Sequence, residues 1–262
     1  GRNDEFGVAC RFGCRYNRPG DRSDSFTNFS PKLGLSYALN DFHSLQLRAQ
    51  RGFRAPQASE MYRLQNDQNI ADLDSVELDS YEVEFKGAGG GWAYSAGYYY
   101  MDKQNEIVTN SDRVNLNNSH TQHSGLEFSL GLDITDTLAL AAVYNFAEHT
   151  YENSQISGGI DIQGNNVDTA PRQFGNLRLR WTSSERVTSE LELVSMGEYY
   201  TNPENTASYS GHSLLNLRTQ YTVNDSVQIY ANILNLDNRE YAERADWTTS
   251  VSYTHLRAHE TR

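Results

Sequence analysis

Apolar and polar residues alternate with a period of two in segment after segment, and this constrains the chain more than any other feature. A β-strand with one apolar and one polar face reads this way, whereas a helix would repeat about every 3.6 residues. Phe6, Val8, Cys10, Phe12, Cys14 and Tyr16 open the series, followed by Phe29, Leu33, Leu35, Tyr37 and Leu39, then Leu45 and Leu47. The same parity runs through Tyr81, Val83 and Phe85, through Trp92, Tyr94, Tyr98 and Tyr100, and through Leu126, Phe128, Leu130 and Leu132. It continues in Leu138, Leu140, Tyr144 and Phe146, then Leu177, Leu179 and Trp181, then Val187, Leu191 and Leu193. Leu215, Leu217 and Tyr221, then Val227, Ile229 and Ile233, complete about 11 strands.

Connections between these segments alternate in length. Short ones, made of turn formers, fall at residues 40–43, 87–91, 133–137, 183–186 and 223–226. Long ones run over about 17–28, 52–77, 102–122, 148–171 and 200–211. Tight turns at one end and long loops at the other are the pattern of an up-and-down outer-membrane barrel. A soluble β-sandwich would share the alternation but not the placement of the rings. On the apolar parity, Tyr37, Phe85, Trp92, Trp181 and Tyr221 lie near short turns, and Tyr16, Phe29, Tyr81, Tyr100 and Phe146 near long loops. Two belts, one per membrane interface, follow. The expected fold is therefore all-β, a transmembrane antiparallel barrel, partial within this chain.

Composition agrees. Hydrophobic residues make up 37% of the 262 even with Tyr counted, below the roughly 45–50% of a soluble domain, so a large dry core is not expected. Aromatics at 11% and only five Pro argue against disorder. The net charge of -12 disfavours nucleic acid as a partner. No stretch is apolar enough for a spanning helix. Cys10 and Cys14, four residues apart in an extended strand, lie beyond disulfide reach and read as apolar side chains.

Ordered pieces along the chain resemble the C-terminal half of the barrel of a TonB-dependent outer-membrane receptor. They are Phe29-Ser30-Pro31-Lys32-Leu33-Gly34-Leu35, Gly52-Phe53-Arg54-Ala55-Pro56, Leu78-Asp79-Ser80-Tyr81-Glu82-Val83-Glu84, and Asn115 with Gly125-Leu126-Glu127. Ala170-Pro171-Arg172 and Asn232-Ile233-Leu234-Asn235-Leu236-Asp237-Asn238-Arg239-Glu240-Tyr241 follow in order. The resemblance implies a bacterial outer-membrane barrel of about 22 strands (roughly twice what is read here, at the upper end of barrel sizes). It also implies an N-terminal plug, absent from this chain, through which the TonB complex drives active import of a scarce ligand such as a ferric siderophore. A passive porin-like channel, or a receptor for haem, cobalamin or a sugar, are the alternatives. Such a receptor is not an enzyme and holds no resident cofactor. Residues 1–247 are assigned to the barrel. Residues 248–262, which resemble translated adapter read-through, are set aside as a non-native or disordered tail.

The polar parity carries Arg48, Glu82, Glu84, Lys86, Glu127, Arg178, Arg180, Glu190, Glu192 and Arg218, a wall suited to a wet plug. In the 52–77 loop, Arg54, Tyr62 and Arg63 suit the carboxylate, hydroxamate or catecholate oxygens around iron. The competing expectation is that Phe53-Arg54-Ala55-Pro56 only bends strand into loop. Haem-importing relatives carry a His in the equivalent loop, and residues 57–68 contain none. His120 and His123, three apart, point to opposite strand faces and so form no common metal site. Asp72, Asp74, Glu77 and Asp79 read as a solvated acidic rim, and the glycines of 87–91 as a hairpin rather than a phosphate cradle. No Ser, His and acid combine convincingly for catalysis, and no metal site is expected.

Overall fold

The structure is a computed structural model that describes residues 20–64, 68, 70–109, 114–243 and 245. Its body is one ten-stranded antiparallel sheet in which every strand pairs with its sequence neighbours. The first strands are β1 (Lys32–Ala38), β2 (His43–Arg54), β3 (Val76–Gly89), β4 (Trp92–Thr109), β5 (Asn115–Thr135) and β6 (Leu138–Tyr151). A five-residue helix, α1 (Ala58–Tyr62), interrupts the connection from β2 to β3. Two small hairpins decorate the later loops: β7 (Ile156–Ser157) with β8 (Ile160–Asp161), and β11 (Tyr199–Tyr200) with β12 (Ser208–Tyr209). The sheet itself continues through β9 (Gln173–Ser184), β10 (Val187–Met196), β13 (His212–Asn224) and β14 (Val227–Ile233). The expected strand over 6–16, Cys10, Cys14 and the tail at 248–262 lie outside the described residues.

All five short turns sit at one end of the sheet, and a side chain before the turn closes four of them. Asn40 Oδ1 accepts from Phe42 N and His43 N at 2.9 and 3.0 Å. Thr135 Oγ1 accepts from Leu138 N at 3.1 Å, Ser184 Oγ from Arg186 N at 3.3 Å, and Asn224 Oδ1 from Ser226 N at 2.9 Å. In the fifth, Gly91 turns at φ +79°, a conformation that favours glycine.

Strand register shows that the strands tilt. The hydrogen-bonded row that starts at Tyr37, beside the short turn of β1, passes through Leu45, Phe85, Ala96, Phe128, Tyr144, Gly175 and Ser195. It reaches Ser213, at the opposite, long-loop end of β13. A row that climbs steadily from one end of the strands to the other is the shear of a barrel wall.

The two parities segregate as expected. Leu33, Leu35, Leu126, Leu177, Leu179 and Trp181 are all exposed on the apolar face, Leu33 at 74% and Leu126 at 56%. In a soluble sheet such residues would be buried, so this face is a lipid surface. At the short-turn end of this face His43, Phe85, Trp92 and Tyr94 form a ring cluster, with Trp92 and Tyr94 stacked at 5.8 Å. Gly87 and Gly89 make room for it: a Cβ on Gly87 would sit 2.5 Å from the Tyr94 ring, and one on Gly89 2.7 Å from the Trp92 indole. Tyr81 and Tyr100 pair at 6.4 Å toward the other end.

Among the described residues, buried apolar side chains are few and gather toward the long-loop end. Met61, Leu64, Ala71 and Leu73 form one cluster, against which Phe26, Tyr62 and Ile107 pack. Tyr199, Ala242 and Ala245 form another.

The expected long loop over 102–122 is corrected. β4 runs to Thr109 and β5 begins at Asn115, so most of that stretch is paired strand. A bulge between Lys103 and Glu106, with Asn105 at φ +56°, carries the pairing past the point where the alternation ends.

Candidate functional site: the polar wall and the long-loop end

The polar face of the sheet is a wall of cross-strand ion pairs. Arg48 and Glu82 are direct register partners on β2 and β3, and Arg48 Nη1 donates to Glu82 Oε2 at 2.6 Å. Lys86 reaches Glu84 at 3.0 Å along the same strand. Arg48, Glu82 and Glu84 line a cavity of about 220 Å³ together with Tyr99, Met101 and Glu127. On the later strands Glu192 is the hub. It accepts from Arg218 at 2.6 Å, Asn176 at 2.7 Å and Asn216 at 3.1 Å, while Arg218 also contacts Glu190 at 3.4 Å. Arg178 and Arg180 stand opposite Glu192 and Glu190 in register and line a cavity of about 440 Å³ near the short turns, with Asp133. All ten wall residues expected from the sequence thus lie on the polar parity, opposite the lipid face.

At the long-loop end, Arg54 is the last residue of β2 and Pro56 prevents the strand from continuing. Its guanidinium donates to Glu60 at 2.9 Å. Glu60 also accepts from Gln57 N at 2.6 Å, completing the capping box that starts α1. Tyr62, at the end of α1, donates its hydroxyl to Asp24, which Arg22 holds from the other side. The Arg22 hydrogen bond, then that from Tyr62, keeps the Asp24 carboxyl below its ordinary range. The same contact with Asp24, followed by burial, pushes the Tyr62 phenol up. Arg63 follows as the exposed C-cap of α1. Arg54, Tyr62 and Arg63 therefore share one segment, where Arg54 and Tyr62 already hold carboxylates of the chain.

The acidic rim is partly neutralised. Arg51 grips Asp79 through two bonds of 2.7 and 2.6 Å and approaches Glu77 at 3.7 Å. Among the described residues no group of three or more His, Cys, Asp or Glu could hold a metal ion. His120 and His123 face opposite ways: His120 meets Asp102, and His123 meets His149. The second pairing is not visible in the sequence, since it needs the register that sets His123 opposite His149.

Two of the long loops are clamped together. Thr169 N donates to Tyr200 O at 2.8 Å, and Asn166 and Asn205 exchange bonds of 2.8 and 2.9 Å. Ser157 donates to Glu204, which also accepts from Asn202 at 2.8 Å. The Ser157 bond is the main reason the Glu204 carboxyl lies below its ordinary range.

The TonB dependent receptor-like β-barrel family matches residues 6–236. The chain belongs to this family. The receptor barrel is similar, at 24% identity over 274 residues, to the iron-regulated outer membrane virulence protein of Vibrio cholerae serotype O1. That alignment covers 92% of this chain and 41% of the Vibrio protein, so the chain spans less than half the length of the relatives it matches. Among solved structures it resembles the unliganded ferric citrate transporter FecA, with a TM-score of 0.71 and 17% identity, covering 86% of this chain and 36% of FecA. It resembles the siderophore receptor PiuA from Acinetobacter baumannii as well, with a TM-score of 0.69 and 18% identity over 86% of this chain and 33% of PiuA. The receptor barrel is a bacterial outer-membrane structure of a transport family, and its unclosed sheet is part of a larger barrel.

Proposed function

We propose that this chain is part of a TonB-dependent receptor that imports a ferric siderophore. The observation that carries the reading is the two-faced wall: an apolar face exposed along the sheet backs a polar face that carries the ion pairs. A wall of that kind suits lipid on one side and a hydrated plug on the other. In such a receptor a plug inside the barrel would make the contact with the TonB complex.

Arg54, Tyr62 and Arg63 are proposed to contact the ligand at the long-loop end. Arginine and phenol groups match the anionic oxygens around a chelated ferric ion. Binding would exchange the Arg54–Glu60 and Tyr62–Asp24 contacts for ligand contacts. Haem is disfavoured because no His lies in 57–68 to act as an axial ligand. The test is titration of the complete detergent-solubilised receptor with ferric siderophores and with haem, following tryptophan quenching and the Soret band. Saturable quenching by a ferric chelate supports the reading; a saturable Soret shift with no response to any chelate overturns it.

A further inference from the structure

We propose that His123 and His149, with Met101 beside them, form a binding site for a soft monovalent metal ion of the Cu⁺ class on the lumen wall. This goes beyond the import reading and does not rest on it.

The three residues occupy one row of the sheet. Met101 on β4 is the register partner of His123 on β5, and His123 of His149 on β6. All three share the parity of Tyr99, Gly125 and Ala147 and so face the lumen, and Met101 lines the lumenal cavity with Tyr99 and Glu127. The two imidazoles turn toward each other, with Nδ1 2.8 Å from Nδ1. One proton lies between two ring nitrogens, which is the place a metal ion takes when each ring presents a lone pair. To admit an ion about 2.0 Å from each nitrogen, the rings must part by a small rotation.

The surroundings suit this. Thr121 Oγ1 lies 3.0 Å from His123 Nε2 and can accept its N–H when Nδ1 ligates, which is the outer partner that a metal-bound imidazole needs. Lys103, the nearby cation, is held by Glu106 and adds no unbalanced charge. Every candidate donor is neutral. Two imidazoles and a thioether balance no part of a dication's charge, and thioether sulfur selects Cu⁺ among the first-row ions. When His123 gives its Nε2–H to Thr121, the bridging proton belongs to His149 Nδ1, and its transfer to His149 Nε2 lets the ion enter with no net proton release.

The test uses the complete receptor in detergent, under reducing anaerobic conditions, titrated with Cu⁺ against a chromogenic chelator and, in parallel, with redox-inert Ag⁺. One ion should bind, with X-ray absorption showing two nitrogen ligands and one sulfur. H123Q and H149Q should each weaken binding by about tenfold or more. M101L should remove the sulfur signal while leaving the β-sheet circular dichroism unchanged. Replacing the distant His43 or His212 by Gln should change nothing. Binding that is unaffected by H123Q and H149Q, or no binding in competition with the chelator, overturns the proposal.

Discussion

Glu192 Oε2 accepts a hydrogen bond from Arg218 at 2.6 Å, and the same carboxylate gathers Asn176 and Asn216. Arg48 and Glu82 make a bond of the same length with fewer neighbours, and the Arg48 side chain is half exposed, at 51%. The shared length hides different energetics. Water screens the Arg48 pair, whereas Glu192 is only 9% exposed and three donors depend on it.

Replacing Arg48 by Met should therefore cost less than about 1 kcal/mol. Replacing Glu192 by Leu should cost about 1–3 kcal/mol, because it removes the acceptor of the Asn176 and Asn216 amides and leaves Arg218 only its longer contact with Glu190. Reversible urea unfolding of the complete receptor in lipid vesicles measures both. Equal costs would show that the Glu192 hub is hydrated like the Arg48 pair.

Depth in the membrane sets a second contrast. Leu179 lies mid-strand on the lipid face, and Trp181 lies nearer the short turn on the same face. L179R should destabilise the barrel by about 2–4 kcal/mol and W181R by about 1 or less, while R178L on the opposite parity should not impair insertion. The yield of folded protein in vesicles, separated by electrophoretic mobility without heating, reports all three. Tolerance of L179R together with failure of R178L would reverse the assignment of faces.

What the sequence made legible follows where the membrane lies. Between the belts one side of each strand meets lipid and the other water, so Leu177, Leu179 and Trp181 must alternate with Arg178 and Arg180, and the ten strands of the main sheet fall where that pattern predicts. Beyond the belts both faces meet water. The alternation then stops although the pairing does not, which is why the extensions of β4 and β5 through residues 102–122 read as loop. Helix α1 was not legible: its N-cap is Gln57 rather than Ser, Thr, Asp or Asn, and five residues carry too little apolar period to announce a helix. The contact of His123 with His149 and the clamp between Asn166 and Asn205 join residues far apart in the chain. Only strand register and loop packing bring them together.

Gly125 gives a third prediction. A Cβ there would lie 2.5 Å from the Phe146 carbonyl oxygen and 2.7 Å from the Tyr99 hydroxyl. The Tyr99 ring can swing away, but the strand carbonyl cannot. G125A should cost about 1–3 kcal/mol, and adding Y99A should restore little of it. The double-variant cycle, measured by urea unfolding, decides. Full rescue by Y99A would place the whole conflict on the ring.

The last prediction concerns acid. Ser157, and after it the backbone and Asn202, hold the Glu204 carboxyl below its ordinary value of 4.5, and Ser154 leads the groups that lower Asp161 from 3.8. A carboxyl depressed in the folded state adds stability above its unfolded value and loses it as pH falls through the folded one. The clamp between residues 152–172 and 197–211 should therefore be intact at neutral pH, hold through pH 5, and loosen only below about pH 4. A nitroxide at exposed Ile160 should keep a constant mobility from pH 7 to 5 and become more mobile at pH 3. In E204Q the carboxylate is gone at every pH, so mobility at pH 7 should already exceed that of the parent and change less on acidification. Loosening of the parent between pH 7 and 5 would instead assign the clamp to a histidine rather than to Glu204.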